Sequence, residues 1–548
     1  MSGPAAPARS PAPLRERSRP PAGPVWLRSA VARVGPAVAL VVALAVVVVV
    51  GSRQTSAGTD RPVPLVTVPP AATVLTCPGA LELPAEVGGG GDSAFSPVPV
   101  APVTRLTAVA SDTADTAEVL GLDGAVVASG LVPGGTGSSV GAVTLDVTAA
   151  GMVRATPVAG ATSHDKTWLA AATTMVTVTA GDLRGLAGAS CQSATADQWL
   201  VGGSTGDGAT AHLVLVNPGS TPARVSWTAW GAAGPVDLTS DQVLVAPRSV
   251  EVVNLGAAAG MQQALVTHVV ASGGQVWAHV QDSAIDGYTA AGTDLVVAGA
   301  PPATRQTVPG LLVEEDGSGL ERGGPTLRLL APGDTGTTAR LALFGSDGPV
   351  DLPGIASVTL TAGTVLDVPL SGLPADRYTA VVEADVPVVA AATFSRVGLP
   401  GELDPVPRVE RALAASTLGG TGTVALPGDL TATLVVGAVG AVGAAAQGAG
   451  DGAVEVIGTG GQVLASDRLG VDAGTTGAWP VAGLVPDVPA SDIAAVRVVS
   501  VSGATLVWAV VVETVQDDGT LVSVLVPTPS SGGPVVVAVR DDPALGQG

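Results

Sequence analysis

Residues 213–236 read LVLVNPGSTPARVSWTAWGAAGPV, and residues 327–350 read LRLLAPGDTGTTARLALFGSDGPV. The two stretches align without a gap at an offset of 114 residues. Leu213 falls on Leu327, Pro218-Gly219 on Pro332-Gly333, Trp230-Gly231 on Phe344-Gly345, and Gly234-Pro235-Val236 on Gly348-Pro349-Val350. Each half alternates apolar and polar residues and then breaks at Gly and Pro, which is the pattern of a half-buried strand closed by a turn. The chain is therefore read as a repeated all-β protein.

A looser signature extends the repeat. A Gly-x-x-Gly-x-Val turn starts at Gly121, Gly231, Gly345 and Gly458, in steps of 110, 114 and 113 residues. A second marker follows each turn in an apolar run: Trp168-Leu169-Ala170, Trp277-Ala278, Val389-Ala390 and Trp508-Ala509. One such turn carries no weight, whereas four at even spacing imply four copies of one unit. In the second copy strands are expected at 212–216, 223–230, 242–246, 249–255, 264–271 and 275–281, with turn residues every 8–12 positions. We read tandem immunoglobulin-like β-sandwiches of about seven strands each. A propeller blade needs only about 40–50 residues, which is shorter than the observed step.

Composition agrees with this reading. Gly (73) and Pro (44) make up about a fifth of the 548 residues, and the mean hydropathy is +0.48. That is too apolar for a disordered chain and suits short β-branched strands separated by turns. Residues 1–53 hold seven arginines and one acid, so the remainder carries 18 basic and 45 acidic residues. An acidic body repels phosphate backbones, which excludes nucleic acid as a partner.

Residues 1–33 are rich in Pro, Ala and Arg and are read as a disordered cytoplasmic tail. Residues 34–52 contain no charge, long enough at about 1.5 Å per residue to cross a bilayer core. The preceding arginines place the tail inside and the bulk outside. The expectation is a single-pass anchor at the plasma membrane; the alternative is a cleaved signal peptide and secretion. Residues 53–72 read as a Pro-rich stalk. The expected sandwich units are 73–196, 197–306, 307–412 and 413–548. Cys77 and Cys191 most simply form one disulfide in an exported chain, the alternatives being a catalytic thiol or a metal pair. If that bond staples only the first unit, reduction lowers one unfolding transition and leaves the others.

The motifs with chemical potential reduce to turns and strands. Gly202-Gly203-Ser204-Thr205-Gly206 has the form of a hydrolase nucleophile elbow, but strand-like residues follow it where an elbow needs a helix. His164, His212, His268 and His279 have no short paired spacing for zinc. Asp316-Gly-Ser-Gly319 and Asp517-Asp518-Gly519 lack the alternating acids and closing Glu of a calcium loop. Lys166 follows no glycine-rich phosphate loop. No catalytic residue, cofactor or metal is assigned. Trp230 and Phe344 sit at matching strand ends and point away from the core face formed by Ala223, Val225, Trp227 and Ala229. They are read either as fillers of a domain junction or as a stacking platform for a sugar.

Taken together, Cys77-Pro78, Ser190-Cys191, Gln198-Trp199-Leu200-Val201-Gly202-Gly203 and the Leu213 to Val236 segment, behind an Arg-rich start and one anchor, resemble an uncharacterised family of actinobacterial envelope proteins. That resemblance implies an envelope location and carries over no catalytic residue. The expected function is a non-enzymatic, membrane-anchored extracellular structural or interaction protein of the bacterial cell envelope, with an envelope protein as partner. The alternative is an accessory or binding protein for cell-wall glycan.

Overall fold

The computed structural model describes residues 42–43, 45–46, 65–68, 71–82, 95, 101–112, 114–131, 140–157, 170–314, 324–350, 354–401, 403, 405–440, 449–502, 506–529 and 535–538. The expected tail and most of the expected anchor and stalk lie outside them, as do Trp168, His164, Lys166 and Asp316–Gly319. Among the described residues no helix is long and apolar enough to cross a membrane. Contacts divide the chain into two compact units, Met1–Val66 with Val536–Gly548, and Thr67–Val535. The first holds most of a two-stranded sheet of Leu65–Val68 and Val535–Ala538.

Thr67–Val535 is all-β, and its sheets come in pairs that repeat one strand order. In the first pair, one sheet runs Thr73–Cys77, Gly151–Pro157, Ala114–Gly121, Val126–Ser129; the other runs Val140–Asp146, Val103–Ser111, Ala170–Val178, Gly185–Ser190. Numbered along the chain, this is 1-6-3-4 over 5-2-7-8. The order recurs from Asp197–Val201 to Thr289–Val296, from Ala303–Val313 to Pro407–Ala415, and from Gly422–Ala425 to Gly519–Leu525. The layering is that of an immunoglobulin-like sandwich, but the connectivity is not. Immunoglobulin sheets run A-B-E-D and G-F-C, with A and B adjacent, whereas strands one and two here lie in different sheets.

The third pair shows how one local sequence change alters the appearance of the repeat. Asp376–Pro400 is a single 25-residue strand that crosses between the two sheets. Its first half pairs with Ala303–Val313 and Thr337–Gly345, and its second half with Thr326–Leu330 and Pro407–Ala415. In the second pair Ser272-Gly273-Gly274 breaks the chain at the matching place, with Gly273 at φ 78°. The third copy reads Ala384-Asp-Val-Pro-Val388 there and has no glycine to turn on.

Alternation builds each core. Along Ala223–Gly231, Ala223, Val225, Trp227 and Ala229 are buried and pack with Leu213, Leu215, Ala278 and Val280 from the facing sheet. Phe394 and Tyr378 fill the third core. The Tyr378 hydroxyl donates to the Pro374 carbonyl at 2.8 Å, a tyrosine corner at the entry to strand six. Burial, with Asp376 nearby, pushes its phenol up to about 12. In all four Gly-x-x-Gly turns the second glycine has positive φ: Gly124 86°, Gly234 119°, Gly348 123° and Gly461 78°. Only glycine takes these values without strain, which fixes that half of the motif.

Cys77 and Cys191 form a disulfide across 114 residues, joining strand one of the first pair to the end of its strand eight. A loop of that length allows at most about 4–5 kcal/mol by the chain-entropy argument. The bond lies in a body whose sheet pairs share apolar clusters, since Met175 and Leu186 of the first pair pack into the core of the fourth. The expected effect of Cys77→Ser with Cys191→Ser is therefore a lower midpoint of one shared transition. Calorimetry showing one displaced transition among several undisturbed ones would count against a shared body.

Candidate functional site

Strand eight is the free edge of its sheet in every pair: Gly185–Ser190, Thr289–Val296, Pro407–Ala415 and Gly519–Leu525. These four edges pack against one another in a closed cycle, first on second, second on third, third on fourth, and fourth on first. Small residues allow the approach. A Cβ on Gly292 would lie 2.5 Å from the Arg411 nitrogen, and one on Gly185 2.7 Å from the Thr293 oxygen.

Edges that meet around an axis cannot all pair as a sheet, and their buried N–H groups need acceptors. Two carboxylates supply them. Asp294 Oδ2 accepts the Leu413 N–H at 2.9 Å, and Oδ1 accepts the Ser523 hydroxyl at 2.9 Å and the Gly188 N–H at 3.3 Å. Gly188 N–H is shared with Ser523 Oγ at 3.1 Å. One side chain of the second pair thus holds the first, third and fourth. Glu410, from the third, accepts the Leu186 N–H of the first at 2.8 Å. Both carboxylates are buried. Burial pushes Asp294 up to about 7 against the pull of its four hydrogen-bond donors. Burial also raises Glu410 well above the usual range, opposed by Leu186 N–H and Arg184 and reinforced by Asp294.

The cycle closes through its faces as well. At three of the junctions the 5-2-7-8 sheet of one pair packs on the 1-6-3-4 sheet of the pair before it. Leu330, Val389 and Ala391 meet Trp199, Val201 and Val266. Val439 and Val507 meet Phe344 and Val381. Val109, Val140 and Ala171 meet Ala425, Ile457 and Ala495, which joins the first pair to the fourth.

The repeated turn takes part in every junction. The Gly231 carbonyl accepts Val365 N–H at 3.0 Å, the Gly461 carbonyl accepts Val140 N–H at 3.1 Å, and the Phe344 carbonyl accepts the Thr476 hydroxyl at 2.6 Å. The Asp123 carbonyl accepts the Arg248 guanidinium at 2.8 Å. The residue before the first turn glycine is Trp230, Phe344 or Ile457 in the last three copies, and each joins the apolar cluster of its junction. Trp230 stacks on Trp199 at 5.4 Å, and Phe344 is buried.

Gly202–Gly206 links strand one to strand two, and the Ser204 hydroxyl donates to the Gln262 carbonyl at 3.1 Å. His268 stacks on Trp199 at 4.1 Å with Nε2 3.1 Å from Asp197. His212 is buried in strand two. His279 stacks on Trp277 at 4.5 Å, and burial drives its imidazole down to about 3. His279 borders a cavity of about 190 Å³ between Gly79–Glu82 and Val214–Val216. Asp518 pairs with Arg184 and Arg408. No group of three His, Cys, Asp or Glu is placed to hold a metal among the described residues.

Sequence reading did not find Asp294 or Glu410. The available signal was a lone acid inside an apolar strand-eight run, Thr293-Asp294-Leu295-Val296 and Val409-Glu410-Arg411-Ala412. Removing the Asp294 carboxylate leaves the Leu413 N–H buried without its acceptor, at about 1–3 kcal/mol, and the Gly188 N–H with Ser523 Oγ alone. Asp294→Ala is expected to cost about 2–4 kcal/mol in urea unfolding. Asp294→Asn, which keeps one carbonyl acceptor, should cost less, and equal losses would rule out the acceptor role.

No curated protein matches the chain. A family of unknown function, DUF5719, matches residues 143–481. That span starts inside strand five of the first pair, Val140–Asp146, and ends just past strand five of the fourth, Thr476–Pro480. Since the match covers more than half of the sequence, including Asp294 and Glu410, the chain belongs to the DUF5719 family.

Proposed function

We propose that this chain is a non-enzymatic structural or interaction protein of the bacterial cell envelope, held at the membrane by residues 34–52. Its extracellular body is four copies of one eight-stranded Greek-key sandwich closed into a ring. The observation that supports this reading is the use made of buried polar groups. Asp294 and Glu410, which would be the natural candidates for chemistry, are occupied in holding strand edges of neighbouring copies together. Such a body presents fixed outer loops to a partner, and its rigidity comes from closure rather than from any one unit.

The glycan-binding alternative drew on Trp230 and Phe344 as free stacking faces. Their place in the second and third junctions favours packing instead. Phe344→Ala is expected to cost about 3–5 kcal/mol in unfolding, as for other buried aromatic truncations, and Trp230→Ala, at a partly buried position, less. Tryptophan fluorescence titrated with cell-wall glycan should give the same response in Phe344→Ala as in the parent. A glycan response lost only in these variants would restore the alternative. For location, external protease on intact cells should degrade the body and spare residues 1–33. Protection of the body until lysis would overturn the envelope assignment.

A further inference from the structure

The ring has one seam that no peptide segment spans. The first, second, third and fourth copies follow one another along the chain, so only the fourth-to-first junction depends wholly on non-covalent contacts. Its facing sheets meet through short side chains, chiefly Val109, Val140, Ala171, Ala425 and Ala495, and Met175 and Leu186 of the first copy add contacts to the fourth core. The Ser190 hydroxyl adds a 2.6 Å bond to the Val526 carbonyl. Asp294 reaches across this seam, because Oδ1 takes the Gly188 N–H of the first copy and the Ser523 hydroxyl of the fourth, and Glu410 beside it takes the Leu186 N–H of the first.

Charge at the centre does not balance. The acids there are Asp282, Asp294, Glu410 and Asp518, and the cations are Arg184, Arg408 and Arg411. Arg184 is committed to Asp518 through two bonds of 2.8 and 2.6 Å, Arg408 lies 3.2 Å from the same carboxylate, and Arg411 lies 3.0 Å from Asp282. Among the described residues no guanidinium is within ion-pair distance of Asp294 or Glu410. Glu410 Oε2 is buried without a hydrogen-bond partner, the position a carboxylic acid proton would occupy. Two unpaired carboxylates in one dry site cannot both ionise cheaply.

We propose that the ring centre is a proton-operated lock on the fourth-to-first seam, closed while Glu410 and Asp294 carry protons and parted when both are ionised. The consequence for stability has a definite sign. A carboxyl raised on folding contributes stability in full below its unfolded value and loses it as pH rises through the folded value. For Asp294 that loss ends near 7, and Glu410, raised well above the usual carboxylate range by burial, loses its contribution in the same direction. His279 acts in the opposite sense, but only between about 3 and 6.5. Asp518 is held low by Arg184 and Arg408 despite the opposing effect of burial, and Tyr378 is raised to about 12, so neither titrates in between. From about pH 4.5 to 7 the two central carboxyls pull stability down against the single opposing imidazole, and that window reports them.

Urea unfolding of the full chain across that window should show the folded-to-unfolded ratio falling, each raised carboxyl contributing up to about tenfold per pH unit against the opposing rise from His279. Glu410→Gln and Asp294→Asn should each make the fall shallower. Hydrogen-exchange protection factors, corrected for intrinsic rate, should drop in Gly185–Ser190 and Gly519–Leu525 before they drop in Ala209–Asn217. A flat wild-type profile overturns the proposal without recourse to any variant. So does an undiminished slope in Glu410→Gln, or protection lost equally in all three strands.

Discussion

The structure depends on how four sheet edges that meet head-on satisfy their backbone. Each strand eight has one side bonded to strand seven and the other turned toward the axis. An edge in that position normally pairs with another strand or faces water. Neither is available in a crowded, cyclic centre, and a buried N–H without an acceptor costs about as much as a lost hydrogen bond. Carboxylates solve this because one group offers two oxygens and about four acceptor sites. Asp294 uses that capacity to gather donors from three neighbouring copies. The cost is burial of acidic groups without cations, and the centre answers it by favouring their neutral forms.

Closure changes what a repeat means energetically. In an open array each unit contacts only its neighbours, and the terminal units have uncovered faces. Here the face exposed by the fourth copy is covered by the first, through Val140 and Ala171 against Ile457 and Ala495. The copies are then coupled in a loop, and loss of one junction is felt at the next. The first copy is where the chain must be braced, since its partner across the seam is most distant in sequence. The disulfide lies there, and the Cys191 carbonyl accepts the Thr528 hydroxyl of the chain's returning end at 3.4 Å.

The sequence made local structure legible and left its assembly hidden. Strand pattern and turns were readable because they are local. Ala223–Gly231 alternates as the pleat demands, and Gly234 and Gly348 stand where positive φ is required. The unread elements were the short helix Leu255–Ala259, capped by Asn254, and the eighth strands, of which Gly185–Ser190 is a Gly- and Ala-rich run without β-branched bulk and Thr289–Val296 opens on Thr-Ala-Ala-Gly. That composition is itself a consequence of the centre, where side chains larger than Gly at 185 or 292 would collide with a neighbour. The immunoglobulin expectation came from strand count and spacing, which do not encode strand order. Nor could spacing show that an acid at 294 and another at 410 share one site.

The repeated turn illustrates why an apparently silent motif can be informative. Gly-x-x-Gly is sufficiently explained, within one unit, by a hairpin that needs positive φ at its second glycine. That explanation leaves the preceding Trp230, Phe344 and Ile457 unaccounted for. It also gives no reason for even spacing to survive in the outer copies, where other residues have diverged. Both follow once the turn is a docking element. Its carbonyls at Gly231, Phe344 and Gly461 receive donors from the following copy, and the bulky residue beside it fills the apolar part of the same junction. A turn that served only its own hairpin could drift in position with each insertion. One that must meet a neighbour at a fixed place on a closed ring cannot, because a shift in any copy would open the cycle.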